Sequence, residues 1–103
     1  MRIALVSDIH GNLPALEAVI AEIADAGADL VVNLGDIVSG PLWPQETARR
    51  LMALGWPTIA GNHERQVLTQ PAARMGASDA FAAAALGAYT QSPVLLLLQL
   101  CLP

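Results

Sequence analysis

"IALVSDIHGN", Ile3 to Asn12, is the stretch that decides the fold. Its first four residues are all apolar, which suits a strand covered on both faces of a sheet. The next residues suit no strand: Asp8 and His10 stand two apart, and Gly11 breaks the pattern. A carboxylate buried without a partner is costly. A strand ending in Asp-x-His-Gly therefore puts these groups where something can bind them. Asn12 is then placed to cap a helix whose first turn tolerates Pro14. Leu13, Leu16, Ile20 and Ile23 recur at helical spacing, while Glu17, Glu22 and Asp25 fall elsewhere on the wheel. Gly27 stands where a left-handed C-cap belongs.

The same rhythm repeats downstream. Leu30 to Leu34 read as a second strand, ended by Gly35-Asp36. After the turn-rich "SGPLWP", Gln45 to Leu54 read as a helix with Ala48, Leu51, Met52 and Leu54 on its apolar side, stopped by Gly55. Thr58 to Ala60 read as a third strand, ended by Gly61. Strand, helix, strand, helix, strand is the βαβαβ order of an α/β fold with a parallel sheet. In such sheets chemistry gathers beyond the carboxyl ends of the strands. Further on, Ser78 to Leu86 suit a capped, alanine-rich helix. "SPVLLLLQLCLP" reads as one more buried strand or a surface needing a covering partner, being far shorter than the ~20 residues of a membrane span.

Composition narrows the function classes. The 103 residues fit one domain; 54% are hydrophobic but only 4% aromatic, so alanine, leucine and valine must fill the core. A net charge of −4 with five Lys plus Arg argues against a nucleic-acid or anionic-membrane footprint. Cys101 is the single cysteine, which excludes an intramolecular disulfide and is compatible with a reducing compartment. "MRIALVS" is too short for a signal peptide, so cytoplasm is the expected location.

Three strand ends carry the chemistry: Ser7-Asp8-Ile9-His10-Gly11, Gly35-Asp36 and Gly61-Asn62-His63-Glu64. Parallel strands put all three on one edge, where Asp8, Asp36, His10, His63 and Asn62 converge. Carboxylate and amide oxygens with imidazole nitrogen suit Mn²⁺, Fe or Zn²⁺. Taken singly, each block is ordinary, since Asp8 could cap a helix and Gly35-Asp36 or Gly61-Asn62 could be plain turns. Yet His10 and His63 are the chain's two histidines, and both lie inside the blocks. Ser7 has no histidine-plus-acid pair specific to it, and a chain without lysine has no phosphate-cradling glycine–lysine loop. Trp43 and Trp56 read as packing residues, and Met52 as core.

In order and spacing these blocks resemble the first three sequence blocks of the calcineurin-like metallophosphoesterases. "SDIHGN" and "NLGDIVSGP" look closest to the small, diadenosine tetraphosphatase-like bacterial phosphodiesterases of that superfamily. The likeness spans residues 2–66. It implies two divalent ions, Mn²⁺ first, with Fe, Zn²⁺ or Ni²⁺ as alternatives, and a metal-bound hydroxide attacking a phosphoester. Asp8 and His10 would bind the first ion, Asp36 would bridge, and Asn62 would bind the second. His63 would face the substrate, Glu64 would orient His63, and Gly11, Gly35 and Gly61 would let the loops turn. The substrate would be a small phosphoester or a nucleotide.

The family continues with a glycine-preceded histidine and a Gly-His-x-His block, whereas this chain has no histidine after His63. The resemblance thus implies an N-terminal, incomplete part of a metallophosphoesterase α/β sandwich within residues 1–103, with a divergent tail at 88–103 and impaired turnover. The alternative is a catalytically inactive truncated fragment or an oligomerisation module that associates through the apolar tail.

Overall fold

The protein's structure, a computed structural model, describes residues 1–69 and 74–90. The elements are β1 (Ile3–Val6), α1 (Leu13–Ala26), β2 (Leu30–Asn33), α2 (Pro44–Leu54), α3 (Asn62–Thr69) and α4 (Ala77–Thr90). The fold is α/β, and β1 pairs with β2 in parallel, Ile3 opposite Leu30 and Val6 opposite Asn33. Local chemistry explains the first helix. Asn12 Oδ1 accepts the Ala15 N–H at 3.2 Å, Pro14 lies in the first turn, and Gly27 closes the helix at φ 70°. Gly55 ends α2 in the same way, at φ 66°.

The helices bury the stripes that their spacing predicts. Leu16 is buried, and Leu13, Ile20 and Ile23 pack against the core. From α2 come Ala48 and Leu51, with Leu54 against them, and α3 and α4 add Val67 and Ala82. Met52 and Trp43 differ from expectation, since both are exposed; Trp56 packs against the core as expected.

Two sequence expectations about the sheet need correction. The Thr58–Ala60 strand is reduced to a single parallel bridge between Asn33 and Thr58. The reason is geometric: this segment meets β2 only at its last residue, where Asn33 donates to the Pro57 carbonyl and accepts from the Ile59 N–H. Nor is β1 covered on both faces. Alternation puts Val6 and Val31 toward the core, while Ile3, Leu5 and Leu30 share the other face. Ile3 is 51% and Leu5 67% exposed, so among the described residues one sheet face is open.

At the helical end, α3 has no counterpart in the sequence pattern, and α4 starts one residue before Ser78 and runs past Leu86. The expected strand or partner surface in the apolar tail lies outside the described residues. No helix among the described residues is long and apolar enough to cross a membrane.

Candidate metal centre

Beyond the ends of β1 and β2 the chain runs as two loops laid side by side. The Asp8, His10 and Gly11 N–H groups donate to the Gly35, Asp36 and Ile37 carbonyls at 3.0, 3.0 and 2.7 Å. These bonds place Asp8, His10 and Asp36 together, with one ligand atom of each lying within 4.8 Å of the others. Among the described residues the same three are the non-glycine residues with positive φ, at 58°, 50° and 44°. Left-handed backbone costs an L-residue roughly 1 kcal/mol or more. Two carboxylates side by side add repulsion. A cation would relieve that repulsion and make use of the strained geometry. The donor set of carboxylates and imidazole therefore fits a divalent metal.

Hydrogen bonding fixes how His10 presents itself. Its Nδ1 lies 2.7 Å from the Ser39 carbonyl, which can only accept, so Nδ1 carries the proton. Nε2 is left with a free lone pair, 3.5 Å from Asp8 Oδ1. Outer-shell anchoring of this kind is how metal-binding histidines are oriented. The Ser7 hydroxyl holds the Asp8 carboxyl below its ordinary value, against the smaller opposing effect of desolvation. Asp8 therefore stays ionised and acceptor-only.

The third block begins α3. Gly61 is its N-cap and has no side chain, so the neighbouring loop supplies the missing acceptor: Asp36 Oδ1 accepts the His63 N–H at 3.0 Å. Glu64, at the third helical position, reaches back to the Gly61 N–H at 3.0 Å, half of a capping box. Its other oxygen accepts the Ile37 N–H at 2.8 Å. This corrects the expected role of Glu64. The side chain is fully buried and ties two loops together by their backbones, and its bonds do not go to His63. Burial pushes the Glu64 carboxyl up, while the Ile37 and Gly61 N–H groups pull it down.

The acid beside His63 is Asp79, which in the sequence reads only as part of a helix start. Asp79 is buried on the first turn of α4, and its Oδ1 lies 3.0 Å from His63 Nδ1. Ser39 Oγ donates to the same carboxylate oxygen and lies 3.1 Å from His63 Nδ1. The His10 and His63 rings meet edge to face with centroids 5.2 Å apart. Asp8, His10, Asn12, Ser39, Leu42 and His63 line one open cleft of about 560 Å³. Asn62 is exposed at the start of α3, one residue before the amide that Asp36 holds. Gly11 and Gly35 lie at the crossing of the two loops.

The Asp79 hydrogen bond, opposed by burial and aided by the Asp79, Asp36 and Glu64 charges, raises the His63 pKa above its ordinary 6.5. A base raised on folding stabilises the fold fully below its unfolded value and loses that contribution as pH climbs through its folded value. In chelator-treated protein, the urea midpoint should therefore fall as the pH rises above about 6.5. His63→Gln should flatten that slope. Equal slopes in the two proteins would contradict the Asp79 pairing as the cause.

The end of the parallel sheet thus carries an Asp-His-Asp cluster that could hold a metal ion, next to a second, acid-held histidine. The calcineurin-like phosphoesterase family model matches residues 1–97, and this chain belongs to that family. Among its relatives is the uncharacterized protein MJ0912 of Methanocaldococcus jannaschii, 41% identical over 66 residues, covering 64% of this chain and 27% of that protein. Phosphodiesterase YfcE of Escherichia coli K12 is 38% identical, covering 65% of this chain and 42% of its own length. The crystal structure of a metallophosphoesterase from Sphaerobacter thermophilus superposes with a TM-score of 0.54 at 38% identity, over 76% of this chain and 34% of that one. The chain thus spans less than half the length of each of these relatives.

Proposed function

We propose that this chain carries the first half of a dinuclear metal site for hydrolysing phosphoesters, and that its substrate is a small phosphodiester, phosphomonoester or nucleotide. The observation that carries this reading is the coincidence of ligand chemistry and strain: among the described residues the three non-glycine residues with positive φ are Asp8, His10 and Asp36, whose ligand atoms cluster within 4.8 Å. Asp8 and His10 Nε2 would hold one ion, Asp36 would share its carboxylate between two, and Asn62 would offer its amide oxygen to the second. When bound, such a pair of ions polarises the phosphoryl group and lowers the pKa of a water molecule. His63 lines the cleft and would steady the leaving oxygen through Nε2, the ring nitrogen facing away from Asp79. Glu64 sets the spacing of the loops that carry Asp36 and His63.

Manganese is the first choice of metal, with Fe, Zn²⁺ and Ni²⁺ behind it, and the expected setting is the cytoplasm. The reading treats residues 1–103 as one domain, with the motifs in 2–66. The experiment is a titration of the metal-free full chain with MnCl₂, followed by melting temperature, and then hydrolysis of bis(p-nitrophenyl) phosphate. A rise of several degrees together with manganese-dependent release of nitrophenolate is expected. Neither response at millimolar manganese would sink the reading.

A second reading is that the chain associates with copies of itself and does not turn over substrate. It is favoured by the apolar face of Ile3 and Leu5, which is open among the described residues. Sedimentation that depends on concentration, with no response to metal, would replace the first reading with this one.

A further inference from the structure

We propose that Asp79 is the positioning residue for His63 in phosphoester hydrolysis, with Ser39 as the bracket that joins the two histidines of the site. The inference rests on the hydrolase reading for its purpose, but its geometry stands alone. Asp79 is a carboxylate on the first turn of α4 with only 4% of the residue exposed, and a buried charge persists only where partners hold it. Both of its Oδ1 contacts point the same way, toward the Ser39 hydroxyl and toward His63 Nδ1 at 3.0 Å. The Ser39 hydroxyl uses its one proton on Asp79. The proton between His63 and this pair must then sit on Nδ1. The imidazole is therefore held as the Nδ1–H tautomer, with Nε2 on the cleft side.

Ser39 also acts through its backbone. Its carbonyl accepts the Nδ1 proton of His10 at 2.7 Å, so one residue helps orient both rings. The two imidazoles stand edge to face with centroids 5.2 Å apart, so each ring is set against the other. Tying α4 to the loop after β2 in this way would convert helix packing into ring orientation. Orientation of this kind acts in the transition state more than on substrate binding.

The test has a spectroscopic arm and a kinetic arm. With two histidines in the chain, ¹⁵N-labelled protein in chelator at alkaline pH gives few ring signals, and His63→Gln assigns them. The wild-type spectrum should show His63 protonated on Nδ1, and Asp79→Asn should shift that nitrogen or release its proton to fast exchange. A wild-type ring protonated on Nε2, or a ring unaffected by Asp79→Asn, overturns the proposal. Because the wild-type spectrum needs only the His63→Gln assignment, a poorly folding Asp79→Asn leaves it decisive. In the kinetic arm, with manganese and bis(p-nitrophenyl) phosphate, Asp79→Asn should lower kcat by about 10–100-fold, as outer-shell partners typically do. KM should stay within about twofold, because the cleft is unchanged. A change confined to KM, or unchanged kinetics, counts against Asp79. If the wild type does not hydrolyse the ester, the hydrolase reading fails while the spectra still decide the positioning.

Discussion

Asp36→Asn should abolish the manganese-induced rise in melting temperature and phosphodiester hydrolysis together, while the fold survives. The substitution is nearly isosteric, and the asparagine oxygen can still accept the His63 N–H that Asp36 Oδ1 holds at 3.0 Å, so the cap of α3 is kept. The losses are the negative charge and the second anionic oxygen of the carboxylate proposed to serve two ions. Losing an outer-shell partner of a metal ligand typically costs 10–100-fold in affinity or activity. Losing the ligand itself should exceed about 100-fold in manganese affinity by the same scale. A ligand at a hundred times its Kd stabilises by about 2.7 kcal/mol, which is worth on the order of 10 °C for a domain of this size. That shift should vanish in Asp36→Asn. Circular dichroism of the metal-free variant should match the wild type. A variant that melts later with manganese, or still hydrolyses the ester, would remove Asp36 from the centre of the site.

The sequence is most informative where local chemistry acts alone. Asn12 and Gly27 cap α1 through neighbours three or four residues away, so its ends are read directly. Asp8, His10 and Asp36 are legible because the strand-then-glycine rhythm fixes which edge they share. Helix α3 escapes periodicity: it is eight residues long, and the acceptor for its second amide comes from Asp36, 27 residues earlier. The one local clue is Glu64, three residues after Gly61, which is the acidic half of a capping box. The expectation that Glu64 orients His63 comes from the family resemblance, yet adjacent helical side chains do not face each other. Asp79 reaches His63 across 16 residues and from another helix, and nothing local separates it from a common helix-start acid. The opposite error, at Thr58–Ala60, comes from a short apolar run whose register lets it meet β2 at one residue only.

Gly35→Ala should be the most damaging small substitution in the described fold. Gly35 has a φ of 101°, where a side chain is strained whatever the space around it. Here space is also lacking: a Cβ would lie 2.3 Å from the Gly61 nitrogen and 2.7 Å from its Cα. Both are backbone atoms in the loop that starts α3, so no side chain can swing away, and the loops that carry Asp36 and His63 must part. Strained φ costs about 1–3 kcal/mol and overpacking typically another 1–3. The total of about 2–6 kcal/mol is a large fraction of the stability of a small domain. Gly27→Ala is the control, because its φ is 70° but nothing lies within 4 Å of the added carbon. It carries the conformational cost without the collision and should lose about 1–2 kcal/mol. Urea melts followed at the helical signal compare the two. The expected order is wild type, then Gly27→Ala, then Gly35→Ala far below or unfolded at the start. Equal midpoints for the two variants would mean that the loops after β2 and before α3 are not pressed together, and the site assembled on them would lose its frame.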